Sequence, residues 1–566
     1  MLRISQKTFH LCLFISIAYS VSLPLSANLE RDLPELPDFI PGEIATGVSL
    51  PKIDLPSLSH KQGLISGKKF KVLGFQFDGN TQLTNQELME VSQQYIEQPI
   101  TISDLHELRD NITRLYIQKG FINSGAILPD QSVKKGIVKF TLIEGVVGSI
   151  EAKTDGRLNS DYVKHPLRLS ATPVINVFKL EQRLQMLQQD ERIESIDARI
   201  EPSMSRGIAN LQVLVKEKSP DNYFAEINNY HSPAIGAEGI KLSAHHNNIT
   251  GSGNRISGHI EKTLGFSKVG LKYSQPFSKT DSRVDVQMGV SQSKVIIEEN
   301  ELDELDIKDE SQYVRVSLHQ LSISSLNSRF DWYISTFYQH GQTFIGGEPH
   351  SLGDPRDDGE IDLTGFRFGT DWRYRSNTQV IVIGFSNTIG FVLPDDDVDD
   401  DDVKYTNTPD GTSLIFNTNI QWARKLEFLS ARVFSRLDLQ LSHSPLYSAQ
   451  QFSLGGHASI RGYRENLLVK DNGALASVEM RIPVWVKSGT RMSLAFFTDA
   501  GRAWQTDRKE TEPRVLASIG TGIVGRINKR FVTQLYWAKA LRDIDHLGES
   551  NIQDQGIHFS LSSQWR

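Results

Sequence analysis

The sequence predicts two tandem α/β modules followed by a 16-stranded antiparallel transmembrane β-barrel. Three observations carry this. A β-α-α-β-β order occurs twice between residues 69 and 218, and tandem repeats constrain architecture strongly. From about residue 223, sixteen segments alternate apolar and polar side chains, with no convincing helix among them. Their connections alternate between tight turns such as "SKTD" and "KSGT" and long polar loops such as 346–363 and 449–472. Short turns on one side of a membrane and long loops on the other are the pattern of outer-membrane barrels.

The N-terminus comes first. Arg3 and Lys7 precede the apolar run "FHLCLFISIAY", and "SLPLSA" ends at the small Ala27. Residues 1–27 therefore read as a secretory signal peptide. The single cysteine, Cys12, lies inside it, so the exported chain is expected to have no disulfide, thiol nucleophile or thiolate metal site. Residues 28–68 carry Pro34, Pro37, Pro41, Pro51 and Pro56 and read as an extended linker.

The first module spans 69–147. "KFKVLGFQFDG" is a strand, and Thr84 with Glu87 has capping-box spacing at the start of a helix. A second helix, "TISDLHELRDNITRLYIQKG", places Leu105, Leu108, Ile112 and Leu115 on one face and ends at Gly120. "FINSGAIL" and "GIVKFTLIEG" follow as strands. The second module, 148–218, repeats the order with "GSIEAK", the helix "NVFKLEQRLQMLQQDER", "SIDARIEP" and "IANLQVLVKEK".

The barrel spans 219–566. In "FRFGTDWRY", Phe366, Phe368, Thr370, Trp372 and Tyr374 oppose Arg367, Gly369, Asp371 and Arg373. In "RVFSRLDLQLS", Leu437, Leu439 and Leu441 oppose Arg436, Asp438 and Gln440; in "ASVEMRIPV", Val478, Met480 and Ile482 oppose Ser477, Glu479 and Arg481. One such strand fits a half-buried soluble sheet equally well. Sixteen after an export signal point to lipid outside and water inside.

Loop 449–472 contains "GGHASIRGYRE", an arginine on a glycine-hinged turn. Folded back into the lumen, Arg461 needs a carboxylate partner, because a confined charge is costly unless paired. Alternation in "RMSLAFFTDAGRAW" sends Met492, Leu494, Phe496 and Ala500 outward and Ser493, Phe497, Asp499 and Gly501 inward. Asp499 is then the available carboxylate, and arginine binds carboxylates through two parallel hydrogen bonds.

Other signals read blandly. The net charge of −7 argues against nucleic acid as a partner. "GTGIVG" at 520–525 lies within a strand with no helix after it, so no nucleotide cofactor is expected. "DDDVDDDD" at 395–402 lacks the spaced ligands of a calcium loop. His245 and His246 are adjacent in a strand and point to opposite faces. No catalytic constellation, metal site or cofactor is read, and an enzyme is not expected.

"LGGHASIRGYRE" with "GALASVEMRIP" resembles the in-folded loop and following strand of two-partner secretion outer-membrane transporters (TpsB, of the ShlB/FhaC/HecB haemolysin secretion/activation type). These belong to the outer-membrane assembly-factor superfamily. The loop core of that family is matched by Ile460, Arg461, Gly462 and Tyr463, and its inner-wall motif by Phe497, Asp499 and Gly501. "FDGNTQLTNQEL" and "GIVKFTLIEGVVGSI" resemble its periplasmic POTRA modules. The resemblance implies that Arg461 packs on the inner wall at Asp499. It also implies that the modules dock a secreted partner exoprotein, of hemolysin, adhesin or contact-dependent toxin type, which passes unfolded through the barrel. Strand addition at "FINSGAIL" or "SIDARIEP" is one mode, with Phe121, Ile122, Ile127, Ile196 and Ile200 as candidate contacts; those side chains serve the module cores equally well. Outer-membrane lipid, lipopolysaccharide and the barrel-assembly machinery are the further partners implied, in the outer membrane of a Gram-negative cell. Two features depart from the family pattern: the proline-broken 28–40 makes a poor plug helix, and the chain ends Trp565-Arg566 rather than on an aromatic. The rivals are a factor that inserts other barrels, which usually has more modules, and a passive porin, which needs none.

Overall fold

The computed structural model describes residues 69–565 except 134, 172, 278–280, 297–305, 351–358, 394–410, 507–511, 529 and 545–549. The expected signal peptide, the linker with its candidate plug, and the acidic stretch 395–402 lie outside the described residues. Contacts divide the chain into two compact units, one holding the modules and the other the barrel.

In the first module Ile137–Ile143 is the central strand, parallel to Gly74–Asp78 and antiparallel to Gly125–Ile127. Helices Asn85–Ser92 and Ile102–Gln118 cover it, and each starts with a capping box, Thr84 with Glu87 and Thr101 with Asp104. Leu105, Leu108, Ile112 and Tyr116 meet Val138 and Phe140 in the core. The expected strand 69–79 is broken. Val72 turns fully into the core, and its carbonyl accepts from the Glu97 N–H at 2.9 Å. That bond bends the chain before Gly74.

The second module pairs central Ile208–Glu217 parallel to Val146–Thr154 and antiparallel to Ile193–Pro202. It carries two helices, Ser160–Ala171 and Val177–Gln188. The repeated order calls for two helices here, though only the second is marked by its sequence; the first carries Pro166, and its Val163 and Leu167 are core residues nonetheless. The modules join through Asn176. Its side-chain oxygen caps the second helix, its Nδ2 donates to the Lys119 carbonyl at 2.9 Å, and Val174 enters the first module's core.

Two carboxylates of the first module are held ionised. The Lys119 ammonium and the Thr84 cap hold Glu87 at about 2. Burial pushes Glu144 up, but donors from Thr81, Gln82 and Tyr116 outweigh it and leave it below the usual range.

Among the described residues, sixteen long antiparallel strands from Asp221–Asn228 to Ile557–Trp565 close a barrel. The last strand closes on the first from Ser560 opposite Asn228 to Trp565 opposite Tyr223. Phe366, Phe368, Leu437, Leu441 and Val478 are exposed outside, whereas Asp438, Glu479 and Asp499 are buried inside. Side chains alternate about the sheet, so a single period of two produces both the lipid face and the polar lumen. Trp565 stacks on Tyr223, with ring centres 6.1 Å apart.

Candidate functional site: the loop held inside the barrel

Phe452–Leu454 and Leu468–Lys470 pair as a short hairpin that carries the arginine turn. Phe452, Leu454, Ile460, Tyr463 and Leu468 pack against Leu475, Ala503 and Leu516 of the wall. Full burial of such side chains contributes about 1.5–3 kcal/mol each, so the loop is seated by apolar contact as well as by charge. Gly462 has φ +92°, and a Cβ there would lie 2.9 Å from Ala538. Glycine thus permits both the turn and the approach to the wall. Gly501 is the wall's counterpart: a Cβ there would crowd Leu454 of the loop at 3.1 Å.

Arg461 grips Asp499 with two side-chain bonds, Nε to Oδ2 at 2.8 Å and Nη2 to Oδ1 at 2.9 Å; its backbone N–H adds a third at 3.2 Å. Its Nη1 reaches Glu479. The guanidinium lies 3.5 Å from the Phe497 ring centre and 4.8 Å from that of Tyr536. Those two rings meet edge to face at 5.5 Å. Tyr536 Oη and Arg481 bind Glu479, and Ser477 Oγ donates to Asp499 at 2.6 Å. Arg461 and Arg481 therefore face Asp499 and Glu479, two charges against two, in a site where Arg461 is 6% and Asp499 1% exposed. Buried charges persist when paired and hydrogen-bonded. Tyr463 Oη donates to the Ala517 carbonyl at 3.0 Å, and Ile460 is fully buried. The structure thus brings Ile460, Arg461, Gly462, Tyr463, Phe497, Asp499 and Gly501 into one site.

A second set of contacts was not read from the sequence. Arg464 holds Asp554 through two bonds of 2.6 and 2.7 Å. The Glu465 N–H donates to Gln553 Oε1 at 3.0 Å, and Gln553 Nε2 donates to the carbonyls of Asn229 and His231 at 2.7 and 2.8 Å. Asn229 in turn exchanges bonds with Ile557 and Phe559 across the seam between first and last strands. The Gly462 N–H donates to His558 Nε2 at 3.0 Å, and His457 stacks on Tyr230 at 3.6 Å. Glu479 had a usable signal, since alternation already placed it inward. Asp554 and Gln553 lie in a loop, where no period reports direction.

The candidate docking residues separate. Phe121 and Ile196 belong to the module cores, the second of the two readings open to them: each completes an apolar layer under its helices. Ile200 is half-buried against the second core, and Ile122 and Ile127 are half-buried. The expected strand "FINSGAIL" shortens to Gly125–Ile127, with Phe121 and Ile122 in the turn before it; Ile127 lies on that edge strand of three residues, and Ile196 and Ile200 on the ten-residue edge strand of the second module. Among the described residues, His340, Glu360 and Asp362 form one group of metal-ligand type. His340 Nδ1 lies 3.0 Å from Asp362 and 3.5 Å from Glu360, and Tyr338 Oη donates to Asp362 at 2.6 Å.

Tandem α/β modules, a sixteen-stranded barrel and a loop pinned to its inner wall define a barrel transporter of the outer membrane. The family model for haemolysin secretion/activation proteins ShlB/FhaC/HecB matches residues 207–525, and that for ShlB-type POTRA domains matches 70–145. The chain belongs to the ShlB/FhaC/HecB family, whose POTRA domains lie in the periplasm. It is similar to the heme/hemopexin transporter protein HuxB of Haemophilus influenzae, 24% identical over 245 residues, 41% of this chain and 42% of that one. It is also similar to the outer membrane transporter CdiB of Escherichia coli O6:K15:H31, 26% identical over 190 residues, 34% and 30% of the two chains. The matched stretch thus spans less than half the length of these relatives. In fold it resembles CdiB from Escherichia coli (TM-score 0.68, 17% identity, 92% of this chain and 94% of that). It also resembles BamA from Haemophilus ducreyi lacking POTRA domains 1–3 (TM-score 0.53, 14% identity, 88% and 100%).

Proposed function

We propose that this chain recognises one large unfolded exoprotein through its periplasmic modules, 69–147 and 148–218, and secretes it through the barrel, 219–566. The observation that carries the reading is the loop held in the lumen by Arg461, Asp499 and Glu479. A passive pore needs no such fixture, and a conduit for a polypeptide needs a removable one. Relatives named as transporters of heme/hemopexin and as CdiB support the class of activity. The edge Ile193–Pro202 offers ten residues of backbone for strand addition, with main-chain hydrogen bonds supplying affinity. With Phe121 and Ile196 committed to the cores, docking falls to backbone and exposed residues such as Glu194 and Arg199. Arg461 and Asp499 hold the loop in one position, and the lumen widens when that hold is released. The test is a proteome comparison of the bacterium with a strain lacking this chain, reading medium, cell surface, periplasm and outer membrane separately. Loss of one large exported protein from surface or medium is expected. A broad fall in unrelated outer-membrane barrels would instead favour an assembly factor.

A further inference from the structure

His340 of the strand Ser328–Ile345 stands directly opposite Asp362 of the strand Glu360–Arg375, and Gln342 stands opposite Glu360. All four share the parity of Ile334, Tyr338, Phe366 and Phe368, which are exposed on the outer face of the barrel. The long loop 346–359 joins the two strands at this end, so the group sits on the external rim, where the apolar band ends. Cross-strand partners and their neighbours two residues along lie within side-chain reach on one face. His340 Nδ1 is 3.0 Å from an Asp362 oxygen and 3.5 Å from a Glu360 oxygen, and the three ligand atoms lie within 4.8 Å of one another. The side chains of His340, Asp362 and Glu360 are 22%, 28% and 41% exposed, so dissolved ions reach them. Two carboxylates are poorly served by one imidazole nitrogen. Nδ1 carries one proton at most, and like charges on one sheet face repel. A cation between the three groups satisfies them all. Two ligand atoms of a tetrahedral zinc ion are about 3.3–3.5 Å apart, close to the separations seen here. Tyr338 Oη donates to Asp362 at 2.6 Å and orients the carboxylate, as groups behind metal ligands do. His340 also lines a cavity of about 350 Å³ together with Gln292, Glu310, Gln312 and Gln342, which leaves room for water at a fourth position.

We propose that His340, Asp362 and Glu360 bind a divalent cation of the zinc class, taken from the external medium, which clamps the two strands at the root of loop 346–359. An imidazole with two carboxylates suits zinc, whereas calcium and magnesium take oxygen ligands. Three protein ligands with an open fourth position make a site that exchanges with solvent. A carboxylate has two oxygens and about four acceptor positions, so each keeps its other contacts while one oxygen binds the ion. The competing arrangement is an imidazolium paired with both carboxylates, which holds no metal. The site does not depend on the secretion reading.

The test is calorimetric titration of zinc chloride into the full chain, solubilised in detergent, stripped with EDTA and carrying no histidine tag. A one-to-one binding step is expected, and an excess of calcium or magnesium leaves it in place. His340→Gln and Asp362→Asn each abolish the step. Tyr338→Phe, which removes only the hydroxyl behind Asp362, weakens it about 10–100-fold. His246→Gln breaks a pair in which His246 Nδ1 is 2.8 Å from Asp221, and leaves the step unchanged. Heat-dependent gel mobility reports that each variant still closes its barrel; zinc raises the conversion temperature of the native chain and not that of His340→Gln. X-ray absorption at the zinc edge of the native chain shows nitrogen and oxygen ligands at about 2.0–2.2 Å, a readout that needs no substitution. The absence of a zinc step, a step unchanged in His340→Gln and Asp362→Asn, a step lost equally in His246→Gln, displacement of zinc by calcium or magnesium, or a zinc shell without nitrogen each overturns the site.

Discussion

The modules and the barrel use the same residue types on opposite sides. In the first module Leu108, Ile112 and Phe140 are fully buried in a core between helices and sheet. In the barrel, Phe366, Leu437 and Val478 are exposed outward, and the buried groups are Asp438, Glu479 and Asp499. Leu214 of the second module and Leu437 of the barrel are nearly equally exposed, at 50% and 45%. The first faces water and the second lipid. Exposure alone therefore says nothing about what a side chain costs; the solvent on the other side decides.

The largest effect expected is at the lumen site. Arg461→Ala leaves Asp499 and Glu479 buried with one cation between them. Breaking a buried ion pair on one side costs about 3–5 kcal/mol, read as a lower unfolding temperature in the heat-dependent gel mobility of the detergent-solubilised barrel. Arg461→Lys keeps the charge but loses the fork, and recovers only part of the loss. Next comes the direct comparison of solvents. Leu437→Arg puts a charge against lipid and costs about 2–4 kcal/mol near the bilayer midplane. Leu214→Arg, at the same exposure, stays within about 0.5 kcal/mol. Equal effects in urea-unfolding titrations would break the comparison. A smaller effect is expected at Thr101→Ala, which removes a helix cap worth about 1 kcal/mol, detected as faster hydrogen exchange over 102–106.

The smallest effect is a pH dependence confined to the first module. Glu87 and Glu144 have folded values below their ordinary range. Their stabilisation is present above the ordinary carboxylate pKa and is lost as pH falls through the lowered values. For Glu87 that window runs from 4.5 down to about 2. Hydrogen exchange of the Thr84 N–H, which donates to Glu87, rises in this window, and Glu87→Gln flattens the response.

Much of this was legible because a period of two reports direction. The same alternation that sent Phe366 outward placed Asp499 inside, and the structure has Arg461 on it at 2.8 Å. Sixteen strands were readable for the same reason. What was not legible lacks a period or depends on the third dimension. Pro166 hid the position of the second module's first helix, whose Val163 and Leu167 are core. Val72 broke a strand through a bond to Glu97, distant in sequence. Tyr536 meets Glu479 only because the barrel closes. Asp554 sits in a loop, where neither composition nor spacing announces the grip of Arg464. Ile200 and Ile196 share a strand and face the same side, yet only Ile196 is fully enclosed.

The most direct measurement restores Arg461→Ala to a strain lacking the chain and follows, side by side, secretion of the partner protein and single-channel conductance of the purified barrel. If the arginine holds a movable loop in a protein-conducting lumen, secretion falls while conductance changes in size or in the frequency of opening. If both stay as in the native chain, the loop is not what regulates the lumen.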